Sequence, residues 1–149
     1  MSRAHPSPPH PTTPSSRSAP RAGLALEVTG GELAICRLAP GRVPRWAFRG
    51  DFIAITRTPD ELSVVCDAKS VPKRIRAEHG WRAIRVVGPL DLSLIGVLAS
   101  IAVPLAEAGI GLFSISTYDT DYVLVRAAAL DQAVAALTAA GHRFDVPPE

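Results

Sequence analysis

The chain has 149 residues, 47% of them hydrophobic and 20% charged, which suits one compact domain or two very small ones sharing a core. Three of its 16 basic residues, Arg3, Arg17 and Arg21, precede the first acidic residue, Glu27. The excess of basic over acidic residues therefore comes from the amino-terminal segment. We therefore expect no nucleic-acid partner. Two isolated cysteines and four scattered histidines predict no metal site, and no cofactor is expected.

The first 22 residues are rich in Pro, Ser and Arg and contain six prolines, and they lack the apolar segment of a secretory signal. The longest uncharged run of the chain, from Leu92 to Ala106, is interrupted by Pro104 and is too short to cross a membrane. We predict a disordered tail over 1–22 and a cytoplasmic protein that makes no contact with membranes.

Short β-like segments dominate residues 23–80. LALEV, LAICRL, FIAITRT and ELSVVCD are apolar and β-branched, and turn signals such as Gly30-Gly31 and Pro40-Gly41 separate them. Only one-turn helices fit between the segments, near Pro44 to Phe48 and Val71 to Arg76. The first half is therefore predicted to be a mostly β unit with reduced helices.

The second half, 81–149, begins with the strand-like segment WRAIRVV and continues into a helix from about Ser93 to Ala108, for which Asp91 and Ser93 are candidate caps. Five apolar residues at helical spacing predict this helix, despite the proline it contains: Leu94, Val97, Leu98, Ile101 and Leu105.

Strands are predicted next at Ile110 to Ser116 and Tyr122 to Arg126, followed by a second helix that Gly141 ends and a closing strand in HRFDV. This order, βαββαβ, predicts a ferredoxin-like α+β unit with antiparallel strands and helices on one face. The first half echoes it weakly, because AITRTPDELSVVC aligns with SISTYDTDYVLVR, with Ile55 on Ile115 and Glu61 on Asp121.

Two polar segments of the second half are expected to converge. GPLDLSLIG, residues 88–96, joins the first strand to the first helix, and STYDTDY, residues 116–122, connects the next two strands. A helix start presents backbone N–H groups that favour a carboxylate, and Asp119 or Asp121 can receive an ammonium or guanidinium group. Together the segments suit a small zwitterion. In the alternative interpretation Asp91 or Ser93 only caps the helix, and the two turns have no ligand.

The long ordered pattern GPLDLSLIGVLASIAVPLAEAGIGLFSISTYDTDYVLV resembles the ACT domain, of the type found in small bacterial ACT proteins and in the CASTOR arginine sensors. The resemblance implies ACT subdomains in tandem, the first with reduced helices, and an amino acid bound at an interface between ACT units. It also implies a homo-oligomer, because this chain has two subdomains where those sensors have four. Carried over by position, the ligand-binding residues would be Asp91, Ser93, Leu94, Ile95, Gly96, Thr117, Tyr118 and Asp121.

These observations favour a regulatory module that senses an amino acid, with Asp121 facing the cationic group of the ligand. The alternative is a structural ACT module that assembles without ligand. A small enzyme is less favoured than either, because Asp119 and Asp121 alternate on an extended segment and point to opposite faces. No catalytic residue is predicted.

Overall fold

The computed structural model describes residues 23–145, so the tail predicted over 1–22 lies outside the described residues. The strands are β1 (Ala25–Val28), β2 (Leu33–Leu38), β3 (Ala54–Arg57), β4 (Leu62–Asp67), β5 (Ala77–Val86), β6 (Phe113–Ser116), β7 (Asp121–Arg126) and β8 (Arg143–Phe144). The α helices are α1 (Val97–Glu107) and α2 (Leu130–Ala139), and one-turn 3-10 helices lie at Arg45–Phe48, Ala68–Ser70 and Ala127–Ala129. None of these helices is long and apolar enough to cross a bilayer.

The first unit consists of β2, β3, β4 and the first half of β5, which pair in the order β3-β4-β2-β5. This is the strand order of a ferredoxin-like unit. The 3-10 helices at Arg45–Phe48 and Ala68–Ser70 occupy the places of its two helices, and the second of them precedes the position expected at Val71 to Arg76. The prediction of a first unit with reduced helices is confirmed.

The second unit has the predicted βαββαβ order but one change in its sheet. β6 pairs with β7 and β7 with β5, whereas β8 pairs with β1 rather than with β5. β1 lies between β5 and β8, antiparallel to the first and parallel to the second. The sheet therefore contains one parallel pair, and the beginning of the described chain closes the carboxy-terminal unit.

Strand β5 belongs to both units. Its first half pairs with β2, its second half lies between β1 and β7, and Trp81 faces Leu33 on one side and Arg126 on the other. The boundary expected between residues 80 and 81 thus falls inside one continuous strand.

Separate apolar clusters cover the two faces of the sheet. The helices pack on one face, where Ile101 and Leu105 of α1 and Leu137 of α2 are buried with Ile84 and Val123. The opposite face carries a smaller cluster formed by these buried and half-buried residues: Leu33, Val65, Ala83, Leu124, Phe52, Trp81 and Tyr122.

Cys36 and Cys66 are buried free cysteines in a third cluster, within the first unit. Their thiols are hydrogen-bonded to each other across β2 and β4, and this bond together with burial raises the pKa of Cys36. The covered thiol of Cys36 is therefore protonated and a poor nucleophile.

Helix α1 begins later than predicted. Ser93 lies in a turn in which its N–H donates to Oδ1 of Asp91 at 2.8 Å, and Leu94 N–H donates to the Asp91 carbonyl at 2.9 Å. The residue before the helix is Gly96, whose φ of 85° is left-handed and favours glycine. Asp91 and Ser93 therefore shape the turn before the helix and do not cap it, which corrects the sequence interpretation.

Pro104, inside α1, has no N–H to donate to the carbonyl of Ser100 one turn earlier. The buried ring of His142 supplies the missing donor, with Nε2 2.9 Å from that carbonyl oxygen. The N–H of Leu24 donates to Nδ1 of the same ring at 3.1 Å, which requires the tautomer with its proton on Nε2. His142 therefore joins α1 to the segments that begin β1 and β8.

Replacing His142 with Ala should lower the free energy of unfolding by about 2 to 4 kcal/mol, because a buried ring is lost and two backbone groups lose their partner. Urea denaturation of the full chain measures this. The exposed His79 provides the control, since His79→Ala should change stability by less than about 0.5 kcal/mol. Equal effects of the two substitutions would contradict the role of His142.

Candidate functional site

The strand-to-helix loop of the second unit is docked on the β6–β7 hairpin. The Leu90 N–H donates to the Asp119 carbonyl at 2.7 Å, and the Thr120 hydroxyl donates to the Val86 carbonyl. Gly88 allows this approach, because a Cβ at its position would lie 2.9 Å from the Asp119 carbonyl oxygen. The two polar segments predicted to converge are thus in direct contact.

The hairpin turn is fixed by its own threonines. The Thr117 N–H donates to the Thr120 carbonyl at 2.8 Å, and the Thr120 N–H donates to the Thr117 hydroxyl at 3.1 Å. Next to the turn, Ser116 and Asp121 face each other across the strands, and the serine hydroxyl donates to Oδ1 of the carboxylate at 2.6 Å. The carboxylate of Asp121 is therefore held in place.

The β3–β4 hairpin of the first unit has the same turn. Thr58 N–H donates to the Glu61 carbonyl at 2.9 Å, and the Thr58 hydroxyl accepts from the N–H of Glu61 at 3.1 Å. Thr58 therefore corresponds to Thr117, and the buried Leu62 corresponds to Asp121. The sequence alignment of Glu61 with Asp121 was wrong by one residue, and the first unit has no carboxylate at this position.

A cavity of about 170 Å³ lies between the loop, the start of α1 and the hairpin. Five of the eight predicted ligand-binding residues line it: Asp91, Leu94, Thr117, Tyr118 and Asp121. The other three lie outside the lining, with Ser93 in the turn, Gly96 before the helix and Ile95 62% exposed. The structure adds these residues to the lining: Leu90, Leu92, Val97, Ser116, Asp119 and Thr120.

The charge around this cavity has one sign. Its lining contains three carboxylates, those of Asp91, Asp119 and Asp121, and neither Lys nor Arg. The start of α1 provides a compensating positive polarity, because the first N–H groups of a helix have no carbonyl in a preceding turn. A carboxylate is favoured at the helix start and a cation at the hairpin.

Apolar side chains around the cavity are unusually exposed. Leu92 is 69% exposed, Ile95 62% and Tyr118 80%. Burying side chains of this size releases about 1.5 to 3 kcal/mol each, so this rim is suited to being covered by a ligand or a protein surface. Within residues 23–145, no group of His, Cys, Asp and Glu side chains is arranged to hold a metal ion.

Sequence reasoning did not identify the contacts that dock the loop on the hairpin, although Gly88-Pro89 and Asp119-Thr120 were recognised as turns. It also did not identify a larger cavity, of about 490 Å³, beside the β1–β2 connection. The sequence signal recognised there was Gly30-Gly31, which indicates a turn and gives no information about ligand binding.

Comparisons with family models give two matches along the chain. The model described as ACT domain matches residues 76–139. A model for an N-terminal domain matches residues 31–74. The two matches meet at the start of β5, the strand that the two units share.

Curated relatives match over part of their length. The human protein CASTOR3P is 27% identical over a 109-residue alignment that covers 61% of this chain and 67% of that protein. Subunit 1 of the human cytosolic arginine sensor for mTORC1 is 35% identical over an 82-residue alignment that covers 50% of this chain. The match covers only 25% of that sensor subunit.

Solved structures match over more of the chain. Protein Atu0741 from Agrobacterium tumefaciens superposes with a TM-score of 0.79 at 36% identity, over 85% of this chain and 96% of that one. The regulatory subunit of aspartate kinase from Thermus flavus superposes with a TM-score of 0.58 at 12% identity, over 80% and 99% of the two chains. At that identity the second likeness concerns the fold alone.

Replacing Gly88 with Ala should push the loop off the hairpin, because the new Cβ meets backbone atoms that cannot move independently. Overpacking of this kind costs about 1 to 3 kcal/mol of stability. Gly111→Ala is the matched control, since a Cβ there meets nothing within 4 Å. Thermal unfolding of both variants measures the difference, and an unchanged melting temperature for Gly88→Ala would contradict the tight docking.

Proposed function

Because the chain belongs to the ACT-domain family, in its CASTOR-like type, we propose that it is a non-catalytic regulatory module that binds an amino acid between the strand-to-helix loop and the β6–β7 hairpin. The proposed units are residues 23–80 and 81–149, joined through β5. The cytosolic location in the name of the arginine sensor supports the proposal of a cytoplasmic protein.

One observation carries the proposal. The loop and the hairpin are hydrogen-bonded to each other and enclose a cavity with a helix start at one side and Asp121 at the other. A free amino acid has a carboxylate and an ammonium group at fixed separation, so it can use both sides together. The excess of carboxylates in the lining favours a ligand with a second cationic group, as in a basic amino acid.

The predicted residues have distinct proposed roles. The backbone of Leu94, Ile95 and Gly96 leads into the helix start that receives the ligand carboxylate, and Asp91 and Ser93 hold the turn before it. Asp121 receives the cationic group. Thr117 and Tyr118 form the side of the cavity next to the hairpin turn.

A second copy of the chain is proposed to complete the site. The cavity of about 170 Å³ in one protomer is below the range of about 300 to 1,000 Å³ that is common for ligand pockets. The exposed rim is formed by Leu92 and Tyr118, which line the cavity, and by Ile95, which follows the lining residue Leu94. A partner that covers this rim would enlarge and close the cavity, and ligand affinity would then depend on the arrangement of the two copies.

The same rim supports the alternative function, a structural ACT module that assembles without ligand. Burial of three apolar side chains favours association. The two functions differ in one property, because only a sensor gains stability from an amino acid.

Binding can be measured as a thermal shift against the twenty amino acids. We expect at least one of them to raise the melting temperature. We expect Asp121→Asn to weaken the binding of that amino acid by about tenfold or more, because its cationic group loses a charged partner. Asparagine can still accept from Ser116, so the hairpin should remain intact. Asp60→Asn, in the equivalent turn of the first unit, is the control and should bind normally. A flat response to all amino acids would favour the structural alternative.

The proposed assembly can be measured by sedimentation equilibrium. Ile95→Ser removes an exposed apolar side chain from the rim and should shift the protein from dimer toward monomer by about tenfold in the dissociation constant. Phe48→Ser changes a side chain of similar exposure, 59%, in the first unit and serves as the control. A wild-type chain that stays monomeric at all concentrations would refute the dimer.

A further inference from the structure

The larger cavity, of about 490 Å³, lies on the sheet face opposite the helices. Its walls are the β1–β2 connection at 29–32 and the segment 51–52, so residues of both units form it. It shares no lining residue with the cavity at the hairpin. Asp121 lines one cavity and Tyr122 the other, because adjacent residues of β7 point to opposite faces of the sheet.

The floor contains a guanidinium group with unused donors. Arg85 lies between Glu27 of β1 and Tyr122 of β7 in a single row across three strands. Its Nε is covered and lies 2.9 Å from Oε1 of Glu27, whereas its two terminal NH2 groups make no hydrogen bond within residues 23–145. The pair neutralises charge and leaves the donors of Arg85 available to an acceptor group in the cavity.

An aromatic surface lies beside this guanidinium. The rings of Phe52 and Tyr122 meet edge to face, with their centroids 4.9 Å apart, and both residues line the cavity. The buried Leu33 continues the apolar part of the lining. A flat apolar group of a ligand can pack here.

The lining also contains the carboxylates of Glu32, Asp51 and Asp67. The side chain of Asp51 makes no hydrogen bond or ion pair within the described part of the chain. Asp67 accepts from the N–H of Lys69 at 2.9 Å through Oδ1 only. Gly50, with a φ of 98°, brings the 51–52 segment close to Asp67, since a Cβ at Gly50 would lie 3.0 Å from Cβ of that residue.

We propose that this cavity is a second binding site, for an amino acid with an aromatic side chain. The ligand carboxylate binds Arg85, its ammonium group faces Asp51 and Asp67, and its ring packs on Phe52 and Tyr122. The volume is within the range common for small-molecule pockets, about 300 to 1,000 Å³. The inference does not rest on the function proposed for the hairpin cavity, because the two sites have separate residues.

The test is a titration of the full-length, ¹⁵N-labelled chain with L-phenylalanine, followed by two-dimensional NMR. The amide signals of Gly30 and Gly31 report on this cavity, and those of Thr117 and Tyr118 report on the hairpin cavity. We expect saturable shifts of the two glycine signals. Phenethylamine lacks the carboxylate and 3-phenylpropionate lacks the ammonium group, so each should bind about tenfold more weakly or worse.

Variants assign the binding to the cavity. Arg85→Gln should raise the dissociation constant that the glycine signals report by about tenfold. Arg143 is an exposed residue of β8, and Arg143→Gln should leave that constant unchanged, as should Asp121→Asn. If Arg85→Gln does not fold, Asp51→Asn, at an exposed position, gives the same test.

Three results would overturn the proposal. The first is an absence of glycine shifts with L-phenylalanine, and the second is binding of phenethylamine or 3-phenylpropionate as tight as that of L-phenylalanine. The third is a shift that follows protein concentration instead of ligand, which would identify the face as a contact between copies of the chain. Hairpin signals that shift with none of the twenty amino acids would count against the function proposed above and leave this site standing.

Discussion

The continuity of strand β5 is the constraint on which the structure depends. Ten residues, Ala77–Val86, pair with β2 at one end and with both β1 and β7 at the other. Backbone hydrogen bonds of one strand thereby fix the orientation of the two units, and the units cannot turn relative to each other without breaking its ladder. The loop of the candidate site begins directly after this strand, so its position is set by the whole sheet.

A second constraint links that loop to the chain ends. Helix α1 carries the start of the proposed carboxylate site, and its proline leaves the Ser100 carbonyl without a helical donor. His142 supplies the donor and also accepts from Leu24, next to the strand inserted between β5 and β8. The insertion of β1 therefore stabilises the helix that borders the ligand cavity. The His142 ring thus connects the packing of β1 and β8 with the position of the helix start at the candidate site.

The sequence predicted the order of elements because each strand and helix has a clear apolar period. It also predicted the meeting of the loop and the hairpin, from the places of the two segments in the βαββαβ unit. It could not predict the place of β1, since pairing between β1, β5 and β8 uses backbone groups that have no side-chain code. The helix start depended on the backbone conformation of Gly96, and apolar periodicity does not fix that.

The two cavities also differ in how far the sequence predicts them. Residues of the hairpin cavity are close in sequence and carry a recognisable motif. The larger cavity collects Arg85, Asp51, Asp67 and Tyr122 from separate segments, and only the register of the folded sheet brings them together. In the first unit, a buried leucine stands where Asp121 stands in the second, so the duplicated hairpins have the same turn and different chemistry.

The central claim is that the helix start and the hairpin carboxylate hold opposite ends of one amino acid. A crystal structure of the protein with the amino acid that most raises its melting temperature tests this directly. The account predicts the ligand carboxylate within hydrogen-bond distance of backbone N–H groups at the start of α1, and its cationic group at Asp121. A ligand bound in the reverse orientation, or bound without contact to either element, would contradict it.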